Sequence, residues 1–482
     1  MTAIEYDVIV IGAGAVGENV ADRAKQGGMR TVIVESELVG GACSYWACMP
    51  SKALLRSGAL LRAAQRVGGS REAVTGELDV AAVLKRRDYM TSDWNDAGQV
   101  KWLNGAGIEL VRGRAVITAP REVTVTADDG TVTVLTATHA VAVSTGSASL
   151  LPDIPGLRES EPWTSRDATS AHHVPASLAI LGGGVVAVEM ATAYAGFGTK
   201  VDLIARHGLL GTNEPFAGEM VTDSLRELGA SVHLDTTVVS VERTADDGFR
   251  IQLDDGGTIE AEEFLVAAGR IPNTAGIGLD AFGLEEGAWL DVDDTMRVLG
   301  ADGEPVDGGW LYGVGDVNHR ALLTHQGKYQ ARAAGDAIAA RANGKDVRIE
   351  PWGTYVATAD HRSVPQVTFT DPEVASIGLT AAKADKEGYR ISIVDYPISN
   401  VSGASIAADN YIGQARMVVD EDRQVLLGVT FVGQDVGELL HSATIAVVGE
   451  VPLSRLWHAV PSYPTLSEVW LRLLEAYGRP EN

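Results

Sequence analysis

The sequence predicts an α/β chain: two strand–turn–helix–strand units, with a compact α+β region after them. Three observations predict it. Gly12-Ala-Gly14-Ala-Val-Gly17 follows an apolar strand and opens a helix, Gly182-Gly-Gly184-Val-Val-Ala187 does the same in mid-chain, and from Pro351 short strands interleave with helices. At 482 residues the chain exceeds one ordinary core, so two to four domains are expected.

In the first unit, Tyr6 to Ile11 reads as a strand, Glu18 to Gly27 as a helix, and Thr31 to Val34 as a second strand ending at Glu35. Gly12 allows the tight turn, Gly14 lets backbone approach a pyrophosphate, and Gly17 lets helix and strand pack closely. The helix N-terminus then offers free N–H groups to the phosphates. Glu35 stands where an acid accepts the hydroxyls of an adenosine ribose. Helical segments are expected from Ser51 to Gly69 and from Val80 to Asn104. A meander follows from Glu122 to Leu135, then a strand from His139 to Val143 that ends in Ser144-Thr145-Gly146. The turn-rich run Leu151-Pro-Asp-Ile-Pro-Gly156 is a candidate domain boundary.

The second unit places a strand at Leu178 to Leu181, a helix to Gly196 and a strand at Lys200 to Ile204. Two such Rossmann-like units imply two dinucleotides, or one enzyme that passes electrons between them. After the second unit's last strand the chain reads Ala205-Arg206-His207, with no acid to hold a free 2'-hydroxyl. Arg206 suits a 2'-phosphate, which favours NADPH over NADH; the plainer reading is a solvated arginine. Farther on, a strand ends in Gly269-Arg270, Trp310 to Asp316 is a short strand ending in an acid, and Leu323 to Ala340 is helix-compatible. In the last region strands are expected at Gln366 to Phe369, Ile391 to Tyr396, Gly413 to Val419 and Val425 to Val432. Helices are expected at Thr380 to Glu387 and Glu438 to Gly449.

The net charge of -25 argues against nucleic acid or an anionic membrane as partner, though a local basic pocket could still take an anionic substrate. The sequence shows no signal-peptide pattern and no membrane-spanning run, and a cytoplasmic location is expected. There are only two cysteines, Cys43 and Cys48, spaced C-x4-C. Two alone suggest chemistry in a reducing compartment or a pair of buried structural thiols. No metal site is expected. The pair lies just after Glu35 within Gly40-Gly41-Ala42-Cys43-Ser-Tyr45-Trp46-Ala-Cys48-Met-Pro50-Ser-Lys52, close to whatever the first unit binds. Its spacing spans a helical turn and a kink, near enough for a disulfide.

With these motifs, Ala268-Gly269-Arg270-Ile-Pro-Asn273, Gly315-Asp316, Phe369-Thr-Asp-Pro-Glu373 and Tyr463-Pro-Thr-Leu-Ser-Glu468, the chain resembles the class I pyridine nucleotide-disulfide oxidoreductases over nearly its whole length. These include glutathione reductase, dihydrolipoyl dehydrogenase, trypanothione reductase and mercuric reductase. The resemblance implies FAD in the first unit and NAD(P)H in the second. It also implies a homodimer whose C-terminal tail completes the partner's active site, and a small-molecule acceptor. It divides the chain into an FAD domain (1–150 and 271–348), an NAD(P) domain (151–270) and a dimerisation domain (349–482).

By the same resemblance Cys48 is the thiolate beside the flavin and Cys43 the interchange thiol. Lys52 and Glu189 match an ion pair near the flavin, and Asp316 an acid on the ribityl chain. Arg206 and His207 match the NADPH-dependent members. Gly41, Ala42, Thr145, Gly146, Gly269 and Arg270 fall on cofactor-lining positions. The largest departure is Tyr463, where the family's disulfide reducers carry the His of a His–Glu pair; Glu468 is kept. An imidazole ionises near about 6.5 and a phenol near about 10, so Tyr463 is a poor base but a competent hydrogen-bond donor. His458, five residues upstream, is either a substitute base or an interfacial histidine. Tyr45 and Trp46 either narrow the substrate mouth or pack against the dimer partner. The expected activity is electron transfer from NADPH through FAD and the Cys43–Cys48 pair to a disulfide or another small electrophile. The alternatives are a dihydrolipoyl dehydrogenase-like enzyme, a diaphorase or quinone reductase, and a binding protein with a vestigial disulfide. Mercuric reductases use a further C-terminal cysteine pair, which this chain lacks, so efficient mercury reduction is not expected.

Overall fold

The computed structural model describes residues 3–479. It contains two compact units. One comprises the chain up to Pro50, Asp88–Leu150 and Arg270–His361; the other comprises Ser51–Arg87, Leu151–Gly269 and the chain from Arg362 onward.

The first unit is built on a seven-stranded sheet. Its centre is Ile4–Ile11, with Thr31–Glu35 parallel on one side and Val132–Val143 parallel on the other. Val8, Ile9 and Val10 are fully buried, as expected of a parallel strand covered on both faces. Ile11 pairs with both Val34 and Val143, so three strand ends coincide at Gly12. Its two neighbours are parallel to it and end beside it, and ligands of open α/β sheets bind in the crevice outside such carboxyl ends. The helix Ala15–Gln26 packs on Thr324–Ala342 through small residues. A Cβ on Gly335 would lie 2.5 Å from the Arg23 Cβ, so only glycine permits that approach.

The meander and the strand expected at His139 to Val143 share one element. Val132–Val143 pairs antiparallel with Glu122–Thr126 through its first half and parallel with the central strand through its second. The single helix expected from Val80 to Asn104 is two helices, Val80–Met90 and Ala97–Ala106. Ser92, Asp93 and Trp94 between them are all left-handed, and the Trp94 indole N–H donates to the Tyr45 carbonyl at 3.1 Å. A tertiary anchor there overrides a helix-compatible composition.

The second unit holds a four-stranded parallel sheet in the order Ser231–His233, Lys200–Ile204, Ser177–Leu181, Glu263–Val266. The helix Val185–Gly196 runs buried from Ala187 through Tyr194, which explains its lack of a polar face. A separate five-stranded antiparallel sheet follows the order Pro365–Thr368, Glu373–Gly378, Val425–Gly433, Gln414–Asp420, Ile391–Pro397. All nine residues of Val425–Gly433 are buried, because the strand is central and the helices Leu440–Val448 and Val469–Tyr477 pack in the same core. No helix among the described residues is long and apolar enough to cross a membrane.

Candidate active site

The glycine turns are dictated by what surrounds them. Gly12 has φ +97°, and a Cβ there would sit 2.5 Å from the Ser144 carbonyl oxygen. At Gly17 it would sit 1.9 Å from the Gly12 carbonyl oxygen, so this glycine holds helix and strand together. Gly14 differs: its Cβ would meet only the Gly41 Cα, at 3.9 Å. Space has been left there at the N-terminus of a 12-residue helix. Around it the buried Ser144 Oγ, Thr145 Oγ1 and Glu18 Oε1 have no hydrogen-bond partner among the described residues. Buried polar atoms are normally satisfied, and a bound flavin dinucleotide fits an open glycine cradle rimmed by polar atoms in need of partners. Glu35 accepts the Ala13 N–H through Oε2 and the Glu37 N–H through Oε1, both at 2.7 Å. Burial outweighs these bonds and pushes its carboxyl up. Burial also pushes Glu18 up, to about 7.

Asp316 opens the short turn Asp316–Asn318 after the strand Leu311–Gly313. The Ser147 hydroxyl donates to its Oδ2 at 2.5 Å, and Arg270 donates to the Ser147 hydroxyl at 2.6 Å. Asn273 donates to the Thr145 carbonyl at 3.0 Å, which explains why the Arg270-Ile-Pro-Asn273 segment accompanies Thr145 and Gly146. Sequence reading missed the support beneath. Gln330, fully buried, accepts from the Gly315 N–H at 2.9 Å and from Asn318 at 2.8 Å, and donates to Asp360 at 2.9 Å. A glutamine among alanines in a helix carries a weak signal, and its partners lie on other segments.

Cys43 lies on the short helix Gly41–Tyr45 and Cys48 opens the helix Cys48–Gln65; the chain kinks between them. Both are free thiols, partly buried. The Cys48 sulfur lies 3.2 Å from the Thr324 hydroxyl. A hydrogen bond to Cys48, then burial and repulsion from Cys48, push the Cys43 thiol well above its ordinary value. Tyr45 is 3% exposed and donates to the Val39 carbonyl at 3.1 Å, so it belongs to its own unit's core rather than to a substrate mouth or a dimer face.

In the second unit the Lys52 ammonium donates to Glu189 Oε2 at 2.7 Å and stands 4.8 Å from the centre of the Phe369 ring. Glu189 is 3% exposed, and its other oxygen accepts the Phe369 N–H at 3.0 Å. A Cβ on Gly182 would lie 2.3 Å from the Ala267 carbonyl oxygen, whereas at Gly184 it would meet nothing within 4 Å. The second nucleotide turn thus repeats the tight and open positions of the first. Arg206 and His207 are exposed just past Lys200–Ile204 and pair with no described residue. Gly269 has φ +142°. In the tail, Tyr463 is 75% exposed and His458 is exposed without a described partner for its ring. Glu468 is buried and accepts the Gly403 N–H at 3.0 Å, which anchors the tail to the helix Ser402–Ala407.

The family described as Pyridine nucleotide-disulphide oxidoreductase matches residues 6–337, and its dimerisation domain matches residues 364–473. The chain belongs to this family. A mercuric reductase of Staphylococcus aureus is 29% identical over 469 residues, covering 96% of this chain and 81% of its own. A dihydrolipoyl dehydrogenase of Chlorobaculum tepidum is 32% identical over 475 residues, covering 97% and 96%. The Cu(II) complex of the HOCl-induced flavoprotein disulfide reductase RclA from Escherichia coli superimposes with a TM-score of 0.82 at 21% identity, covering 98% and 99% of the two chains. LpdA from Mycobacterium tuberculosis does so with 0.81 at 22%, covering 99% and 100%. These two likenesses speak to the fold. As a pyridine nucleotide-disulphide oxidoreductase the protein is a flavoenzyme that uses FAD and a pyridine nucleotide, carries a redox-active cysteine pair, and has the domain by which the family forms homodimers.

Proposed function

We propose that this oxidoreductase draws on NADPH and delivers two electrons through Cys43 and Cys48 to a small disulfide or another small electrophile that needs little base assistance. The pairing of Cys43 with Cys48 beside the Thr324 hydroxyl carries this reading, because it brings the chain's two thiols together as a dithiol. When bound, FAD supplies the two-electron relay between the pyridine nucleotide and the cysteines. Gly12, Gly14 and Gly17 hold its pyrophosphate at the helix N-terminus, Glu35 its adenosine ribose and Asp316 its ribityl hydroxyls. Lys52, held by Glu189, would supply positive charge to the bound flavin. Arg206 and His207 take the 2'-phosphate of NADPH.

With a disulfide acceptor, the Cys43 sulfur gives up its proton and attacks one acceptor sulfur, which releases the first thiolate. The Cys48 thiolate then attacks the Cys43 sulfur, closing the Cys43–Cys48 disulfide and releasing the second thiolate. Two electrons leave the pair; one of the two protons that the leaving sulfurs take comes from Cys43, and the second comes from solvent, because Cys48 reacts as a thiolate. The C-terminal tail, with Tyr463 and Glu468, completes the partner's site, and the Tyr463 hydroxyl donates to the departing sulfur rather than stripping Cys43. Tyr463 and the lack of an acid at Ala205 both point away from dihydrolipoyl dehydrogenase activity.

The test is an anaerobic titration of the purified dimer with NADPH, then NADH, followed by an acceptor screen beside Tyr463→His. A long-wavelength thiolate–flavin band formed with NADPH, and lost in Cys48→Ser, is expected. Bleaching without that band would leave a plain diaphorase, and no reduction at all would leave a binding protein.

A further inference from the structure

Three helices begin against one another around the cysteines. A Cβ on Gly41, which opens Gly41–Tyr45, would lie 2.7 Å from the Gly14 Cα, just ahead of Ala15–Gln26. A Cβ on Gly327, in the first turn of Thr324–Ala342, would lie 2.6 Å from the Val16 Cγ2. Absent side chains thus bring the first turns of all three helices together. Thr324, whose hydroxyl lies 3.2 Å from the Cys48 sulfur, marks the face of its helix that looks onto the dithiol. Lys328 stands at i+4 from it, on the same face and one turn away. It is half-buried, and its ammonium acts on the Cys43 thiol and on the Glu18 carboxyl alike. Glu18 comes from the first turn of Ala15–Gln26, and its Oε1 is buried with no hydrogen-bond partner among the described residues. The neighbouring acids are already committed. Asp22 accepts from Gln26 at 2.7 Å, Asp336 from Arg23 at 2.9 Å, Asp96 from Arg112, and Glu35 from the Ala13 and Glu37 N–H groups. The Tyr45 hydroxyl is held by the Val39 carbonyl, and His325 and Arg332, on the lysine's own helix, are exposed.

We infer that Lys328 is a positioning residue for the interchange thiol: its ammonium steadies Cys43 when that sulfur is ionised for attack, and an ionised Glu18 competes for the same ammonium. The inference deepens the proposed function and rests on Cys43 being the thiol that meets the acceptor. It answers the shortfall at Tyr463. An ammonium takes no proton from Cys43, but it lowers the cost of leaving the sulfur charged while the proton goes to solvent. Glu18 sets the condition. Burial pushes its carboxyl up to about 7, so below that value it is uncharged and Lys328 serves Cys43 alone. Above it, two negative groups share one cation.

The test is alkylation of the FAD-loaded dimer by iodoacetamide, across the neutral and alkaline range, in a Cys48→Ser background where Cys43 is the chain's one cysteine. Iodoacetamide is uncharged, so its rate follows the thiolate fraction and not attraction to Lys328. A cation beside a half-buried group moves its ionisation by roughly half a unit to one unit. Lys328→Met is therefore expected to slow alkylation about three- to tenfold at each pH below the midpoint, and Lys328→Arg to restore it to within about twofold. Glu18→Gln is expected to speed it about twofold or more above about pH 7. A merely structural role for Lys328 would change flavin retention or thermal midpoint and leave the rate profile in place. An unchanged profile in Lys328→Met, an equal loss in Lys328→Arg, or no acceleration in Glu18→Gln overturns the inference. If Lys328→Met does not retain flavin, Lys328→Gln decides by the same criterion. Failure of the working-pair reading shows elsewhere: wild-type cysteines alkylated equally before and after reduction by NADPH would sink it, whatever the Lys328 variants do.

Discussion

Replacing Lys52 by Met should destabilise the protein mainly by stranding Glu189. Glu189 is 3% exposed and keeps one other bond, from the Phe369 N–H at 3.0 Å. Removing one partner of a buried ion pair costs about 3–5 kcal/mol, because the remaining charge is left uncompensated. The Lys52 side chain is 36% exposed, so water reaches the vacated position and the expected cost falls to roughly 2–3 kcal/mol. For a cooperative unit of this size that is a drop of roughly 4–12 °C in thermal midpoint. Adding Glu189→Gln removes the stranded charge and keeps an acceptor for the Phe369 N–H. The double variant should therefore be more stable than the sum of the singles by about 1 kcal/mol or more. The assay is thermal unfolding of the purified protein by circular dichroism and by flavin fluorescence. A loss below about 1 °C in Lys52→Met, or a strictly additive double variant, would refute the argument.

Gly17→Ala and Gly14→Ala should separate scaffold from ligand. The first drives a Cβ to 1.9 Å from the Gly12 carbonyl oxygen and should yield little folded flavoprotein. The second meets only the Gly41 Cα at 3.9 Å and should fold while retaining FAD roughly tenfold or more weakly, read by flavin release on dilution. Arg206→Ala should raise KM for NADPH about tenfold and leave NADH unchanged, and equal effects on both would refute a 2'-phosphate contact. Glu18 holds its proton up to about pH 7 in the fold, whereas an unfolded glutamate releases it near 4.5. Between those values the unfolded chain binds fewer protons, so this stabilising contribution is complete below about pH 4.5 and is lost as pH rises through about 7. Glu18→Gln should match wild type near pH 4.5 and exceed it by up to about 3 kcal/mol at pH 8; a gap independent of pH would contradict the assignment.

The sequence by itself determined the parts whose physics is local. Gly12, Gly14 and Gly17 are legible because a turn, an open approach and a close packing each require a missing side chain within a few residues of one strand. The cysteine pair is legible because only two occur and they stand beside the first turn. Lys52 with Glu189, and Asp316 and Arg270 as cofactor-lining residues, were legible only through the family resemblance, since nothing local joins residues 137 positions apart. Tertiary structure alone decided what sits under those residues. It placed Thr324 on Cys48 and fixed the Gly315–Asp316 turn through Gln330 and Asp360. It also tied Glu468 to Gly403, and it broke the helix expected from Val80 to Asn104 where Trp94 reaches the Tyr45 carbonyl. Each of these rests on one or a few hydrogen bonds between separate segments. A donor or acceptor in a sequence states its capacity to bond but not its partner, and the partner is chosen only when packing brings two segments within about 3 Å of each other.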